Sequence, residues 1–201
     1  MKNFSIVKLS ELDEEYKREA TGLFAEGFHK MFSFTKDREV LNELFFYSLD
    51  FSMIYITLEK DKVVGLLGSG TNEKRAVSLN KEVFKKLLGN GKGTIVYKQM
   101  KSIMEKPAVK GDSDLYIDYL VTDKKYRGKG IATALINFVC NDERIFEECY
   151  IEVLSKNINA KNLYEKIGFK EYKRVYNPIT LLQGLGYLIE MKMKIHNRIK
   201  I

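Results

Sequence analysis

With 201 residues, 45% hydrophobic and 30% charged, the chain has the balance of a globular protein and the length of a single domain, 1–201, which excludes a disordered polypeptide. Lys and Arg number 34 against 27 Asp and Glu, and the formal net charge of +7 favours an anionic partner: nucleic acid, acidic lipid or a phosphorylated small molecule. Two cysteines, Cys140 and Cys149, without a Cys-x-x-Cys spacing, and two distant histidines, His29 and His196, exclude a disulfide framework and a zinc module and leave little material for any metal.

The N-terminal MKNFSIVKLSELDEE turns acidic at once, unlike a signal peptide, and no apolar run approaches the ~20 residues of a membrane span. With both thiols read as buried, this gives an expected cytoplasmic location. Phe4 to Leu9 reads as a strand. Leu12, Tyr16, Ala20, Leu23 and Phe24 recur at helical spacing, and the aromatic stretch GFHKMFSFT follows. Leu41, Leu44, Phe45 and Ser48 suggest a second helix with Asp37 near its start. Ser52–Leu58 and Val63–Gly70 read as a hairpin around EKDK. Leu79, Val83, Phe84, Leu87 and Leu88 mark a helix, GNGKG interrupts it, and Val96, Met100 and Ile103 begin another.

LYIDYLV, residues 115–121, is short and almost wholly apolar, as a central strand should be. KKYRGKG then leads into a helix with Ile131, Ala134, Leu135, Phe138 and Val139. CYIEVL is a strand, and Ala160, Leu163, Tyr164 and Ile167 form a helix ended by Gly168. Phe169–Tyr176 and Tyr187–Lys194 close the chain as strands. The strand–helix–strand piece 115–154 needs a crossover, so part of the sheet is parallel. An α/β or α+β sheet covered by helices follows.

The most informative stretch is YLVTDKKYRGKGIATALINFV. A strand runs into a loop holding Arg127, Gly128, Lys129 and Gly130, and a helix begins there. Glycines leave backbone N–H groups unobstructed, the first helical turn has unpaired donors, and Arg127 and Lys129 add charge. That combination suits a phosphate or pyrophosphate. The alternative is a turn with solvated basic residues. The P-loop and dinucleotide patterns are not met: GLLGSGTN and GNGKGT lack the first, and GKGIAT lacks the third glycine of the second.

Arg127-Gly128-Lys129-Gly130-Ile131-Ala132 resembles the pyrophosphate motif of the GNAT N-acetyltransferase family, Arg/Gln-x-x-Gly-x-Gly/Ala. Downstream, Asn157-x-x-Ala160-x-x-Leu163-Tyr164-x-Lys166-x-Gly168-Phe169 resembles the family's second cofactor-side signature, in the expected order. The match is most specific over residues 115–170. The resemblance implies an α/β (α+β) fold with a mixed, mostly antiparallel sheet whose central parallel strands splay apart. It also implies acetyl-CoA in the V between them and acetyl transfer to a primary amine of a small molecule or peptide.

Four tasks follow for such a reaction. The phosphates of acetyl-CoA fall to the backbone N–H groups of Gly128 to Ala132, with Arg127 and Lys129 in support. Polarisation of the thioester carbonyl falls, by the family layout, to backbone groups at Leu120, Val121 and Thr122, although the family usually has an aliphatic residue where Thr122 stands. An amine with a free pKa of ~10.4 must lose a proton. Glu152, on the face opposite Cys149, Ile151 and Val153, is the candidate base; Asp118 is the second, because an acid inside LYIDYLV must be paired or wet. Tyr164 matches the residue that protonates the leaving thiolate. Asn157 would hold the pantetheine or cap its helix.

Segments 27–35 and 177–186, joined by 89–112, would shape the acceptor side. Phe28, Phe32 and Phe34 would favour an acceptor with apolar bulk, or would pack a helix junction; His29 could touch the acceptor or do nothing chemical. Two rival functions are a non-catalytic acyl-CoA-binding module of the same fold and a nucleic-acid binder. The second needs a basic face, and only scattered charges and the tail Lys192, Lys194, Arg198 and Lys200 are found. The expected partners are therefore acetyl-CoA and an amine, with no metal, nucleic acid or membrane, and a homodimer is left open.

Overall fold

A computed structural model describes residues 4–142, 146–182 and 184–195. His196, Arg198 and Lys200 lie outside the described residues. The strands are β1 (Ser5–Lys8), β2 (Ile54–Glu59), β3 (Lys62–Gly70), β4 (Asp114–Thr122), β5 (Glu148–Leu154), β6 (Lys170–Val175) and β7 (Leu188–Lys194). They form one sheet in the order β1-β2-β3-β4-β5-β7-β6, antiparallel throughout except for β4 with β5. The helices are α1 (Glu14–Phe28), α2 (Arg38–Phe46), α3 (Lys81–Leu88), α4 (Asn90–Met104), α5 (Ile131–Asp142), α6 (Ile158–Ile167) and the short α7 (Pro178–Leu182).

Local chemistry explains most boundaries. Asp37 caps α2 by accepting from the N–H groups of Glu39 and Val40, and Asn80 caps α3 in the same way. Lys60 and Asp61, both with positive φ, make the two-residue turn that matches the twist of β2 and β3. Gly168, at φ 120°, ends α6. The expected break at GNGKG is confined to Gly89; Asn90 to Gly93 already belong to α4. Gly93 sits so close to α3 that a Cβ there would meet the Phe84 carbonyl oxygen at 2.3 Å, so this glycine serves helix packing. The stretch 89–112 is thus largely a helix packed on α3.

Two apolar cores lie on opposite faces of the sheet. One holds Phe24, Leu41, Phe45, Phe84 and Val96 of α1–α4 against β2 and β3, and takes no residue from β5, β6 or β7. The other packs Ile131, Leu135 and Val139 of α5 and Tyr164 of α6 against Ile117, Ile151, Val153, Ile189 and Met191. The alternate residues Tyr150 and Glu152 of β5, and their partners Lys192 and Glu190 of β7, point away from that second core.

Two irregularities in β4 set the site. Gly68 of β3 pairs with Tyr119 and Ser69 with Ile117, so Asp118 is an extra residue, a bulge. It reverses the alternation: Leu115 and Ile117 face α5, whereas Tyr119 packs against Phe24 and Phe28 of α1. The parallel ladder also stops early. Asp114–Ile117 pair with Glu148–Ile151, after which β4 runs on to Thr122 and β5 to Leu154 without pairing to each other.

Candidate active site

Between β4 and α5 the chain turns through Arg127–Gly130. Gly128 and Gly130 have φ of 73° and 84°, and nothing lies within 4 Å of where a Cβ would stand, so the backbone conformation calls for glycine and the loop is open above them. The first helical bond of α5 runs from the Ala134 N–H to the Gly130 oxygen, so the amides of Ile131 and Ala132 have no acceptor within the helix. The Ile131 side chain is buried against Gly65, which leaves its N–H as the group available to a ligand. Arg127 is exposed and its Nε reaches the Thr122 oxygen at 3.5 Å; Lys129 Nζ lies 4.2 Å from the Tyr126 ring centre. Polar amides, a helix N-terminus and two cations thus meet at one end of the parted strands.

Leu120, Val121 and Thr122 pair with Leu67, Leu66 and Gly65 of β3. On their other side β5 has left, so backbone groups directed there have no strand partner. Val121 also touches α1 closely: a Cβ on Gly27 would lie 2.8 Å from Val121 Cγ1.

The two candidate bases have different surroundings. The Asp118 side chain is wholly buried, ion-paired to Arg75, and accepts from the Ala76 N–H at 2.8 Å. Burial pushes its carboxyl up, and Arg75 and the Ala76 amide pull it back. It is therefore the paired alternative, with both oxygens occupied, and holds a loop onto the bulge. Glu152 is solvent-accessible and forms no ion pair among the described residues. Crowding by neighbouring atoms raises its carboxyl above the usual range and the Glu190 carboxylate adds to this, while Arg75, the Tyr116 hydroxyl and Lys173 favour the charged form. Tyr116 itself is buried beneath the Arg75 guanidinium, 4.9 Å from its ring centre.

Tyr164, only 7% exposed, packs against Phe169 and its hydroxyl makes no hydrogen bond within the described chain. Burial raises the phenol to about 12. Asn157 is exposed and its Oδ1 accepts from the Ala160 N–H at 3.3 Å, so the capping role is present.

The phenylalanines of 27–35 differ from the expected acceptor lining. Phe32 is buried, and Phe28 and Phe32 stack with Phe24, which also meets Phe45 and Tyr119; Phe34 stacks on Phe32. They pack the junction of α1 and α2. His29 Nδ1 is bonded to the Glu26 carbonyl. By contrast Leu182 of α7 is 88% exposed. A groove of about 720 Å³ beside Lys17, Tyr47 and Asp50 is lined by none of the candidate site residues. No group of metal-ligating side chains and no helix long and apolar enough to cross a membrane occur among the described residues.

Sequence reasoning missed Tyr116, Arg75 and Glu190. Tyr116 lay inside an apolar run with no distinguishing signal. Arg75 and Glu190 reach the site through pairings 43 and 38 positions away from Asp118 and Glu152, which no local pattern marks.

Residues 51–171 match a family model described as an acetyltransferase (GNAT) domain. Among curated proteins, the chain is 36% identical over 59 residues to glucosamine 6-phosphate N-acetyltransferase of Trypanosoma brucei brucei, 29% of this chain and 40% of that protein. It is 40% identical over 63 residues to N-alpha-acetyltransferase 30 of Schizosaccharomyces pombe, 30% of this chain and 42% of that protein. The matched segments thus span about two fifths of these relatives. Among solved structures, an N-acetyltransferase from Staphylococcus aureus superposes with TM-score 0.62 at 16% identity, covering 94% of this chain and 100% of that one. The NatC complex bound to Gag peptide and CoA gives 0.57 at 18%, covering 96% and 98%. At these identities the superpositions establish the fold.

Proposed function

The chain belongs to the GNAT acetyltransferase family, and we propose that it is a single-domain enzyme that moves an acetyl group from acetyl-CoA to a primary amine of a small molecule or peptide. The observation that most supports this reading is the parting of β4 from β5 after Ile117 and Ile151, beside Glu152 and next to an amide-rich turn at Gly128–Ala132. The curated relatives acetylate a phosphorylated amino sugar or, by their name, an N-alpha amine, and both acceptors are primary amines.

In the proposed mechanism, the turn at 127–132 holds the pyrophosphate through N–H groups, with Arg127 and Lys129 adding charge. The unpaired backbone of Leu120–Thr122 donates to the thioester oxygen as negative charge develops. The acceptor arrives as R–NH3+ and gives one proton to Glu152, directly or through a water. Tyr116 keeps that carboxylate oriented, and Arg75 with Asp118 keeps Tyr116 in place. The neutral nitrogen attacks the carbonyl carbon, the C–N bond forms, and the adduct loses a second proton. The C–S bond then breaks and the thiolate receives a proton from the Tyr164 hydroxyl, which is restored from solvent. The sum is R–NH3+ and acetyl-CoA giving the amide, CoA-SH and one proton. Asn157 steadies the pantetheine arm.

Calorimetric titration with acetyl-CoA, together with release of CoA thiol in the presence of an amine panel, tests this. Micromolar-range binding and amine-dependent thiol release are expected. Binding without release for any amine would favour a cofactor-binding module, and absence of binding would remove the assignment.

A further inference from the structure

The face of β5, β7 and β6 that turns away from the α5–α6 core carries an arrangement the mechanism above leaves unused. Glu190 of β7 stands directly opposite Glu152 in the antiparallel register, and Lys173 of β6 stands opposite Glu190. Side chains so opposed have Cβ atoms about 4.5–5.5 Å apart, within reach of one small cation. Lys173 Nζ is bonded to Glu190 Oε1 at 2.8 Å. That lysine is largely exposed, whereas Glu190 is mostly covered. The other cations near this face are already paired, Lys192 with Glu148 and Arg75 with Asp118. Glu152 is left with a like charge opposite it and no ion-pair partner among the described residues.

Aromatic rings border the two carboxylates. Tyr116 of β4 lies beside Tyr150 of β5 in the parallel register, and Tyr150 meets Tyr172 edge to face at 5.9 Å. Lys192 Nζ sits 5.7 and 5.8 Å from the Tyr150 and Tyr172 ring centres, so the chain already places an ammonium against these rings. Tyr172 occupies a bulge in β6, between Glu171 and Lys173, which turns it toward Glu190. In a chain of net charge +7, a carboxylate without an ion-pair partner among the described residues, beside a second one whose ion pair is with an exposed lysine, is a local preference for a cation.

We propose that Glu190 is a second acceptor-side carboxylate: with Glu152 it takes the acceptor as an ammonium against the rings of Tyr116 and Tyr172, and Lys173 is the internal cation that the acceptor displaces. This rests on the acetyltransferase reading and narrows it to acceptors that are charged at working pH, carried to the site from the open face of β5–β7–β6. Glu190 also acts on the base. Its charge opposes ionisation of Glu152, while Lys173, Arg75 and the Tyr116 hydroxyl favour it, and Tyr150, Tyr172, Glu148, Lys170, Lys192 and Lys194 are further titratable groups on that face. Removing Glu190 and removing Lys173 must therefore have opposite effects.

The test compares 2-phenylethylamine, a cation at pH 7.5, with 4-methoxyaniline, which is neutral there, in the full chain and its Glu190→Gln, Glu190→Asp and Lys173→Met variants. Loss of a hydrogen bond to a charged group predicts that Glu190→Gln raises KM for 2-phenylethylamine about ten- to a hundredfold. It also moves the acidic limb of kcat/KM to lower pH. Lys173→Met lowers that KM and moves the limb upward, and Glu190→Asp recovers part of the wild-type KM. KM for 4-methoxyaniline stays within about twofold throughout, and melting curves establish that each variant is folded. Equal changes for both amines, or shifts of the same sign in Glu190→Gln and Lys173→Met, would overturn the inference while leaving the enzyme reading intact. If the wild type acetylates neither amine, the amine panel decides the enzyme reading and calorimetry with 2-phenylethylamine decides the site. Binding weakened by Glu190→Gln upholds it, and no wild-type binding overturns it.

Discussion

Replacing Tyr164 by Phe separates a catalytic hydroxyl from a packing ring. The ring is in the core, and Phe preserves its contact with Phe169 at 5.9 Å between centres. The hydroxyl has no hydrogen-bond partner within the described chain, so its removal strands no group. The stability change should stay within ~1 kcal/mol, which is a melting shift of at most about 4 °C for a chain this long. The effect on turnover is a different matter. A positioned acid contributes about 10²–10⁴-fold. Burial holds this phenol at about 12, above a free thiol at ~8.5, so full transfer to a thiolate in water would be uphill. The same dry surroundings raise the thiolate's own basicity and narrow the gap, and the phenol then helps chiefly as a strong hydrogen-bond donor while the C–S bond stretches. The expected loss is therefore in the lower half of the range, about 10²–10³-fold in kcat, or ~2.7–4.1 kcal/mol of barrier. CoA-thiol release at saturating amine measures it, with calorimetry showing acetyl-CoA affinity within about twofold. A variant that turns over within a few-fold of the wild type would leave Tyr164 as a core residue alone.

Three further outcomes follow from the same structure. Gly130→Val puts a branched side chain at φ 84° in the turn proposed to hold the phosphates; acetyl-CoA binding should fall at least about tenfold with the circular-dichroism spectrum retained, and undiminished affinity would remove the turn from cofactor binding. Arg75→Met strands the buried Asp118 carboxylate, which should cost ~3–5 kcal/mol in denaturant unfolding; a cost below ~1 kcal/mol would show that the pair does not hold the bulge. In the pH profile of kcat/KM, Glu152 in its proposed role serves as base only when ionised, and its carboxyl is raised by the crowding of neighbouring atoms and by Glu190. Activity should therefore fall with decreasing pH along a limb centred above the ordinary glutamate value of ~4.3, and that limb should vanish in Glu152→Gln. A limb that survives the substitution belongs to another group.

What could be read from the residues alone was what neighbours within a few positions decide. Asp37, Asn157 and Gly168 mark helix ends because capping and positive φ are settled within one turn of chain. The glycine-rich turn before α5 was legible for the same reason, since Gly128 and Gly130 supply the backbone conformation and the helix N-terminus supplies the donors. The crossover from β4 to β5 followed from a helix between two strands. Other choices were open in the sequence and closed only by packing. Asp118 was paired or wet, and Arg75, brought in from before α3, paired it. Phe28, Phe32 and Phe34 lined a cleft or a junction, and Phe24 and Phe45 gathered them into the junction. The bulge at Asp118, the early end of the β4–β5 ladder and the meeting of Glu152 with Glu190 depend on strand register, which is fixed by the summed fit of whole faces against two cores. The glycine-rich turn proposed to meet the cofactor is thus a local property of this chain, whereas the surroundings of Glu152 and its pairing with Glu190 are properties of the assembled sheet.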